Sequence, residues 1–360
     1  MKSRFGMKPT RGTLRKSAGK LAPGKVPRSV LEELFRLSGE RDPRVLVGAG
    51  FGVDAAVVGV GNGRVLVLKS DPVTFTEEEA GWYAVHVNAN DIAVMGARPR
   101  WFQPTILLPP GTTREAVRSV AREIHRAAKS LGIAVTGGHT EVTPAVRQIV
   151  VAGDMQGTAL RRELVTPARV RPGDALLLVG SAALEGTSIL ARRDFARTTR
   201  LLGARGARRA ARFHRVPGIS VVAPALLCAR AGASGMHDAT EGGVAMALYE
   251  FAEASGVRFV VDLDRIPVRE ETRVLCGHYG LDPLRLLSSG ALLVAVPAER
   301  CEKVAGVLER RGYRVGRLGS AEKGRGVRAT RAGKVVPFRY SERDELARLD
   351  VTPRSRTAGR

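Results

Sequence analysis

Cysteine is scarce. The chain has three in 360 residues, Cys228, Cys276 and Cys301, too widely spaced for a disulfide framework and without a CxxC pair for zinc, so packed thiols are expected. Long apolar runs are missing as well. None approaches the roughly 20 residues that span a bilayer, and the basic N-terminus lacks the apolar segment of a secretory leader, so a cytoplasmic location is expected. The Walker A lysine motif, the GxGxxG fingerprint and the GxSxG elbow are also absent, which excludes the commonest nucleotide and hydrolase arrangements at motif level.

Acids are in short supply: 35 Asp and Glu face 58 Lys and Arg, for a formal net charge of +23. The excess is local. Residues 1–28 hold nine Lys or Arg and no acid, and residues 192–215 hold nine Arg against Asp194 alone. Such patches permit nonspecific contact with nucleic acid. Aromatics make up only 5% of the chain, are not interleaved with either patch, and accompany no helix-turn-helix or zinc-finger spacing. A dedicated nucleic-acid reader is therefore disfavoured.

What is present is length for two domains and a clear alternation of patterns. Residues 1–40 read as a basic arm rich in Gly and Pro, followed by a first helix from Ser29, where SVLE offers a capping box and Leu31, Leu34 and Phe35 a buried stripe ending at Gly39. Residues 41–165 read as an α/β domain. Its strands VLVGAGFGVDAAVVGV and RVLVLKSDP are joined by the turn Gly61-Asn62-Gly63. A central helix follows, then a helix capped by Thr112 and Glu115 and stopped by Gly132, the strand IAVT and the turn GGHTEVTP. Breaks at Val165-Thr166-Pro167 and Arg171-Pro172-Gly173-Asp174 open a second α/β domain over 166–345, with strands DALLLVG, VRFVVDL, ALLVAVP and YRVGRLG and helices near 241–255 and 298–311. Residues 346–360 read as a frayed basic tail.

The central stretch, GWYAVHVNANDIAVMGARP from Gly81 to Pro99, carries one acid, Asp91. Helical spacing groups Ala84, Val87, Asn88, Asp91 and Met95 on one face. A carboxylate in that company needs a cation or hydrogen bonds, so a metal ligand and a core hydrogen bond are both open. Asp54 lies at a glycine-rich bend and Asp71 at a strand end. Together with Asp91 they offer the hard oxygens that Mg²⁺ takes when it bridges substrate phosphates. Gly137-Gly138-His139-Thr140-Glu141 can bring backbone N–H groups to an anion or serve only as a turn. In HDATEGGVAMAL, Asp238, Thr240, Gly242 and Gly243 read as the start of a helix, either an anion site or a plain cap.

In this order, GVDAAVV, SDP, NANDIAVMGARP, TGGHTEV, RPGDALLLVG, HDATEGGVAMAL and IPVREETR with LDPLRLLSSGALLVAVP resemble the aminoimidazole ribonucleotide (AIR) synthetase superfamily. That superfamily includes thiamine monophosphate kinase, selenophosphate synthetase and the hydrogenase maturation protein HypE, and the last three segments look most like HypE. The resemblance implies an α/β (α+β) fold of two domains, a homodimer formed through N-terminal strands, and ATP bound with Mg²⁺ at the domain and subunit boundary. It makes Asp54, Asp71 and Asp91 the magnesium acids with Asn90 beside them. Gly137, Gly138, Thr140 and Glu141 become phosphate contacts, and Asp238, Thr240, Glu241, Gly242 and Gly243 face the acceptor, Asp238 and Glu241 being the catalytic candidates.

The chain departs from the pattern at Val53, where a second acid is common, at His139, where an acid is common, and at its tail, Thr357-Ala358-Gly359-Arg360, where HypE carries a reactive cysteine. The implied activity is Mg-ATP phosphoryl transfer to, or dehydration through, an oxygen of a small-molecule or protein-borne acceptor, with hydrogenase or metallocentre maturation as one setting. Alternatives are a nucleotide-binding scaffold without turnover and, less favoured, a nucleic-acid-associated protein. The basic arm is expected to close over the triphosphate as a lid.

Overall fold

The computed structural model describes residues 21, 24–74, 76, 78–340 and 343–350. Most of the expected lid, including Arg11, Arg15, Lys16 and Lys20, lies outside the described residues, as do residues 351–360 of the tail.

Two mixed sheets of seven strands each organise the chain. The first holds β1 (Val45–Val47), β2 (Ala56–Gly61), β3 (Arg64–Val73), β4 (Arg98–Leu108), β5 (Ala134–Val135), β6 (His139–Val142) and β7 (Val150–Leu160). Their order is β1-β2-β3-β7-β4-β5, with β6 also paired to β4. Its helices are α1 (Arg28–Phe35), α2 (Ala80–Val94) and α3 (Arg114–Leu131). The second sheet holds β8 (Ala175–Val179), β9 (Gly235–Ala239), β10 (Arg258–Asp262), β11 (Ala291–Val296), β12 (Val315–Glu322), β13 (Gly326–Arg331) and β14 (Lys334–Val336), in the order β14-β13-β10-β12-β8-β11-β9. Around it lie α4 (Leu184–Arg193), α5 (Phe195–Ala211), α6 (Val222–Ala231), α7 (Gly243–Ser255), α8 (Glu270–Tyr279), α9 (Cys301–Glu309) and α10 (Leu346–Asp350).

Local chemistry explains the clearest elements. Gly61, Asn62 and Gly63 all take left-handed φ angles, 88°, 50° and 66°, which makes the tight β2–β3 hairpin. β3 then runs antiparallel to β7 in unbroken register, from Arg64 opposite Leu160 to Val73 opposite Val151. α3 starts at Thr113, whose side chain accepts from Ala116 N–H, and stops at Gly132 with φ 68°. The cap is one residue later than expected, because the Thr112 hydroxyl donates to Pro109 O instead.

α2 is buried on every side except at Val87. One side rests on β7 and β3 and the other on α6 and β9, so its side chains join a core that continues through Ile219, Val222, Ala225, Met236 and Val294 of the second domain. Such double burial suits a helix whose few polar side chains, His86, Asn88, Asn90 and Asp91, are themselves buried. The Asn90 amide fastens the contact: its Nδ2 donates to Ile219 O at 2.9 Å, and its Oδ1 accepts from Val221 N at 2.8 Å.

Several expectations do not hold. α1 buries none of its residues, Leu34 being 53% exposed, and it ends at Phe35 without a side-chain cap. Eight residues cannot reach the core, and polar contacts anchor them: Arg28 pairs with Glu253 at 2.9 Å and lies over the Phe51 ring. The segment expected as the turn GGHTEVTP contains β6. His237 and Asp238 lie in β9, a wholly buried strand, and not at a helix start, since α7 begins only at Gly243. Residues 346–350 form α10 where a frayed tail was expected.

Candidate active site

Three carboxylates meet where the two domains touch. Asp91 comes from the buried face of α2, Asp238 from β9, and Asp54 from the loop before β2. That loop is set against α7 by Gly52, whose φ is 73° and where a Cβ would stand 2.3 Å from Glu250 O. One oxygen from each acid lies within 4.8 Å of the others, and all three residues are at most 8% exposed.

Like charges in so small a buried volume disfavour ionisation. Burial raises Asp91 well above the ordinary carboxylate range, against the opposing charge of Lys69 and with Asp238, Asp54 and Asp71 adding to the rise. Burial and the Asp54 charge push Asp238 up to about 6. Lys69 from β3 answers part of this, its Nζ standing 3.0 Å from Asp91 Oδ2 and 3.8 Å from Asp71 Oδ2. Asp238 Oδ2 is buried with no hydrogen-bond partner among the described residues. Hard carboxylate oxygens, one of them orphaned and short of positive charge, fit a divalent cation such as Mg²⁺.

A second row of groups stands behind Asp54. His237 Nδ1 lies 2.8 Å from Asp54 Oδ1 and its Nε2 3.3 Å from Glu250 Oε2. Burial works against a charged imidazole here, yet Asp54 and Glu250 outweigh it and raise His237 well above the usual histidine range. Glu250 in turn meets Lys25 Nζ at 3.1 Å; burial raises it, but Lys25 and His237 prevail and bring it down to about 2. Carboxylate, imidazolium, carboxylate and ammonium thus alternate from Asp54 to Lys25, which orients the metal-facing acid.

Beside this row lies a cavity of about 150 Å³, lined among others by Lys25, Asp71, Glu185, Thr240, Glu241 and Ser289. Burial pushes Glu185 up to about 8, so it is a neutral acid at pH 7, and its Oε1 has no partner among the described residues. Burial also raises Glu241, with Lys25 opposing. At the start of α7, Gly242 N donates to Asp344 Oδ2 at 2.7 Å, so a carboxylate from the C-terminal segment occupies that N–H.

The expected site residues are thus distributed. Asp54 and Asp91 converge with Asp238, while Asp71 lies at the rim by Lys69 and lines the cavity with Thr240 and Glu241. Both amide atoms of Asn90 are engaged by the backbone of Ile219 and Val221. Gly242 and Gly243 make the turn into α7, with φ 76° and 67°. Gly137, Gly138, Thr140 and Glu141 lie in or beside β6 and are all exposed. Sequence reasoning passed over Lys69, Glu185, His237 and Glu250. Lys69, Glu185 and Glu250 are each a lone charged residue inside an apolar run (LVLKS, SAALEG, ALYEFA), the same signal that singled out Asp91, and His237 sits beside Asp238 in GMHDA.

Ser188, His214 and Glu79 reproduce the order of a hydrolase triad, with His214 Nδ1 2.7 Å from Ser188 Oγ and Nε2 2.6 Å from Glu79 Oε2. The serine is fully buried and donates to Ala211 O at 2.8 Å, so no nucleophile is presented. Glu79 also pairs with Arg215, whose guanidinium covers the Trp82 ring at 4.0 Å. This group latches α2 to the second domain. It also neutralises part of the arginine patch at 192–215, as do Arg192 with Glu78 and Arg209 with Glu271.

Residues 52–159 match the AIR synthase related protein N-terminal domain, and residues 171–331 match its C-terminal domain. The carbamoyl dehydratase HypE of Rhodobacter capsulatus is 32% identical over 281 residues, 76% of this chain and 78% of that protein. The chain belongs to the AIR synthase related family. The thiamine-monophosphate kinase of Pyrococcus horikoshii is 28% identical over 276 residues, 75% of this chain and 81% of that protein. A crystal structure of the hydrogenase maturation protein HypE in complex with ATP superposes with a TM-score of 0.61 at 25% identity, covering 89% of this chain and 96% of that one. Relatives in this family are thus ATP-using enzymes, one a dehydratase and another a kinase. No helix among the described residues is long and apolar enough to cross a membrane.

Proposed function

We propose that this chain is an Mg-ATP-dependent enzyme that passes the γ-phosphoryl group to an oxygen of a small or protein-borne acceptor, leaving that oxygen either phosphorylated or ready to depart. The observation that carries this reading is the meeting of Asp54, Asp91 and Asp238 from two domains in one buried volume beside a polar cavity. These three acids would hold Mg²⁺, with Asp71 at the rim. A bound Mg²⁺ neutralises phosphate charge and orients the triphosphate.

The chain's own groups do the rest. Lys69 balances the acids before nucleotide arrives and supplies a positive charge to it afterwards. His237 and Glu250 hold Asp54 in one orientation. Glu241, its carboxyl raised by burial and set on the cavity wall with Thr240, is placed to take the acceptor's proton. Glu185 presents a neutral carboxyl to the same space. Gly137, Gly138, Thr140 and Glu141 belong to this proposal as phosphate contacts reaching a nucleotide across a homodimer, for which their exposure in and beside β6 leaves them accessible. Likeness to the Rhodobacter dehydratase favours an acceptor in metallocentre maturation in the cytoplasm. Cys228 and Cys276 are buried, with burial pushing both thiols up to about 12, so neither is an activated nucleophile.

The test is turnover of ATP by the purified chain with and without Mg²⁺, alone and with carbamoyl-bearing or phosphate-ester acceptors. Mg²⁺-dependent, acceptor-stimulated release of ADP supports the proposal. Tight nucleotide binding with no turnover under any acceptor would make the chain a nucleotide-binding scaffold.

A further inference from the structure

A second cavity, about 590 Å³, opens at the seam of the two domains, and none of its lining residues belongs to the acid cluster. Its walls come from Gly96 and Arg98 after α2, Thr158 and Ala159 at the end of β7, the interdomain segment through Arg162, Glu163 and Arg169, the end of α6 with Arg230, and Arg300 before α9. Five arginines and one glutamate therefore line it, all of them exposed, with the Arg98 guanidinium turned toward Gly132 at the end of α3. Among the described residues none of the five, nor Glu163, is in an ion pair; Arg169 donates to Leu164 O. Elsewhere on this protein arginines do find acids, as Arg317 does with Glu302 and Glu309.

Gly232 closes α6 in the left-handed conformation, φ 90°, that favours glycine at a helix end, and the Arg300 guanidinium lies over that end. That helix end contributes only about half a negative charge. Without Arg98, the cavity is left with roughly two to three uncompensated positive charges on groups shaped for bidentate contact with phosphate oxygens. Its volume falls in the usual range of small-molecule sites, about 300–1,000 Å³.

We infer that this seam cavity binds a small polyanion carrying two or more phosphate groups, through Arg162, Arg169, Arg230 and Arg300. A concave site shared by both domains suits a compact ligand better than a nucleic-acid backbone, which asks for an open stripe of charge. Because the ligand would touch both sides of the seam, binding braces the domains against one another.

The experiment is calorimetric titration of the full chain with inorganic tripolyphosphate in the absence of divalent cations, in about 150 mM salt, where long-range attraction is screened. To remove any contribution from the cation beside the acid cluster, the same titration is run on Lys69→Gln. One saturable site in both proteins is expected, weakened about tenfold or more by Arg162→Ala with Arg300→Ala and unchanged by the control pair Arg118→Ala with Arg325→Ala. Should the first pair unfold, the exposed single reversal Arg230→Glu carries the same expectation. No saturable site, equal loss in the control pair, or affinity that climbs steadily with the length of a competing RNA would each overturn the inference.

Discussion

Replacing Asn90 by alanine removes a side chain that stitches α2 to the second domain's backbone. Asn90 is fully buried, and its amide satisfies Ile219 O at 2.9 Å and Val221 N at 2.8 Å. The alanine leaves both backbone groups without partners in a place water does not reach. Each orphaned buried group costs about 1–3 kcal/mol, so the variant should lose about 2–6 kcal/mol of stability. Asn90→Asp keeps an acceptor for Val221 N–H but sets a carboxylate against Ile219 O, and should lose at least as much. Urea unfolding followed by far-UV circular dichroism reads the loss as a lower midpoint at similar slope. Mg-ATP affinity, measured below the new midpoint, should change little. A variant with unchanged stability but abolished nucleotide binding would refute the reasoning and turn Asn90 into a nucleotide contact.

Glu185 gives a pH signature. With its carboxyl pushed up to about 8 in the fold, the folded state holds a proton that the unfolded chain releases above about 4.5, so stability should fall as pH rises from about 4.5 to 8. Glu185→Gln should flatten that slope in thermal melts across the range; an unaltered slope would mean that Glu185 is ionised in the fold. Multi-angle light scattering at micromolar concentration should give a homodimer, and a monomer would remove the intersubunit role proposed for β6. Deleting residues 1–20, which spares the pairing of Lys25 with Glu250, should lower ATP turnover with little effect on stability if the arm closes over the triphosphate. Unchanged turnover would deny it that role.

Much of the framework was legible where local chemistry acts alone: the Gly61-Asn62-Gly63 hairpin, the glycine stop of α3 and the apolar central helix all follow from their own residues. What failed were features decided by distant partners. The spacing of Leu31, Leu34 and Phe35 reports an amphipathic helix but not whether a core lies near enough to bury it. Met236-His237-Asp238-Ala239 shows no alternation because both faces of β9 are covered, so the strand passed for the approach to α7. Local patterns marked Asp54, Asp71, Asp91 and Asp238 one by one. Which three would meet depended on the docking of α2 against β9, and that contact has no trace in either segment alone. Lys69 and His237 were passed over for the same reason, since the partners that give them meaning lie in other parts of the chain.

The central claim is that Asp54, Asp91 and Asp238 hold Mg²⁺ for ATP. Calorimetric titration of Mg-ATP into Asp91→Asn measures it most directly, because asparagine keeps the shape and removes the charge that faces the cation. The account predicts a native fold by circular dichroism with Mg-ATP affinity reduced about tenfold or more, and a smaller loss for nucleotide added without Mg²⁺. Undiminished Mg-ATP affinity in a folded Asp91→Asn protein would contradict it.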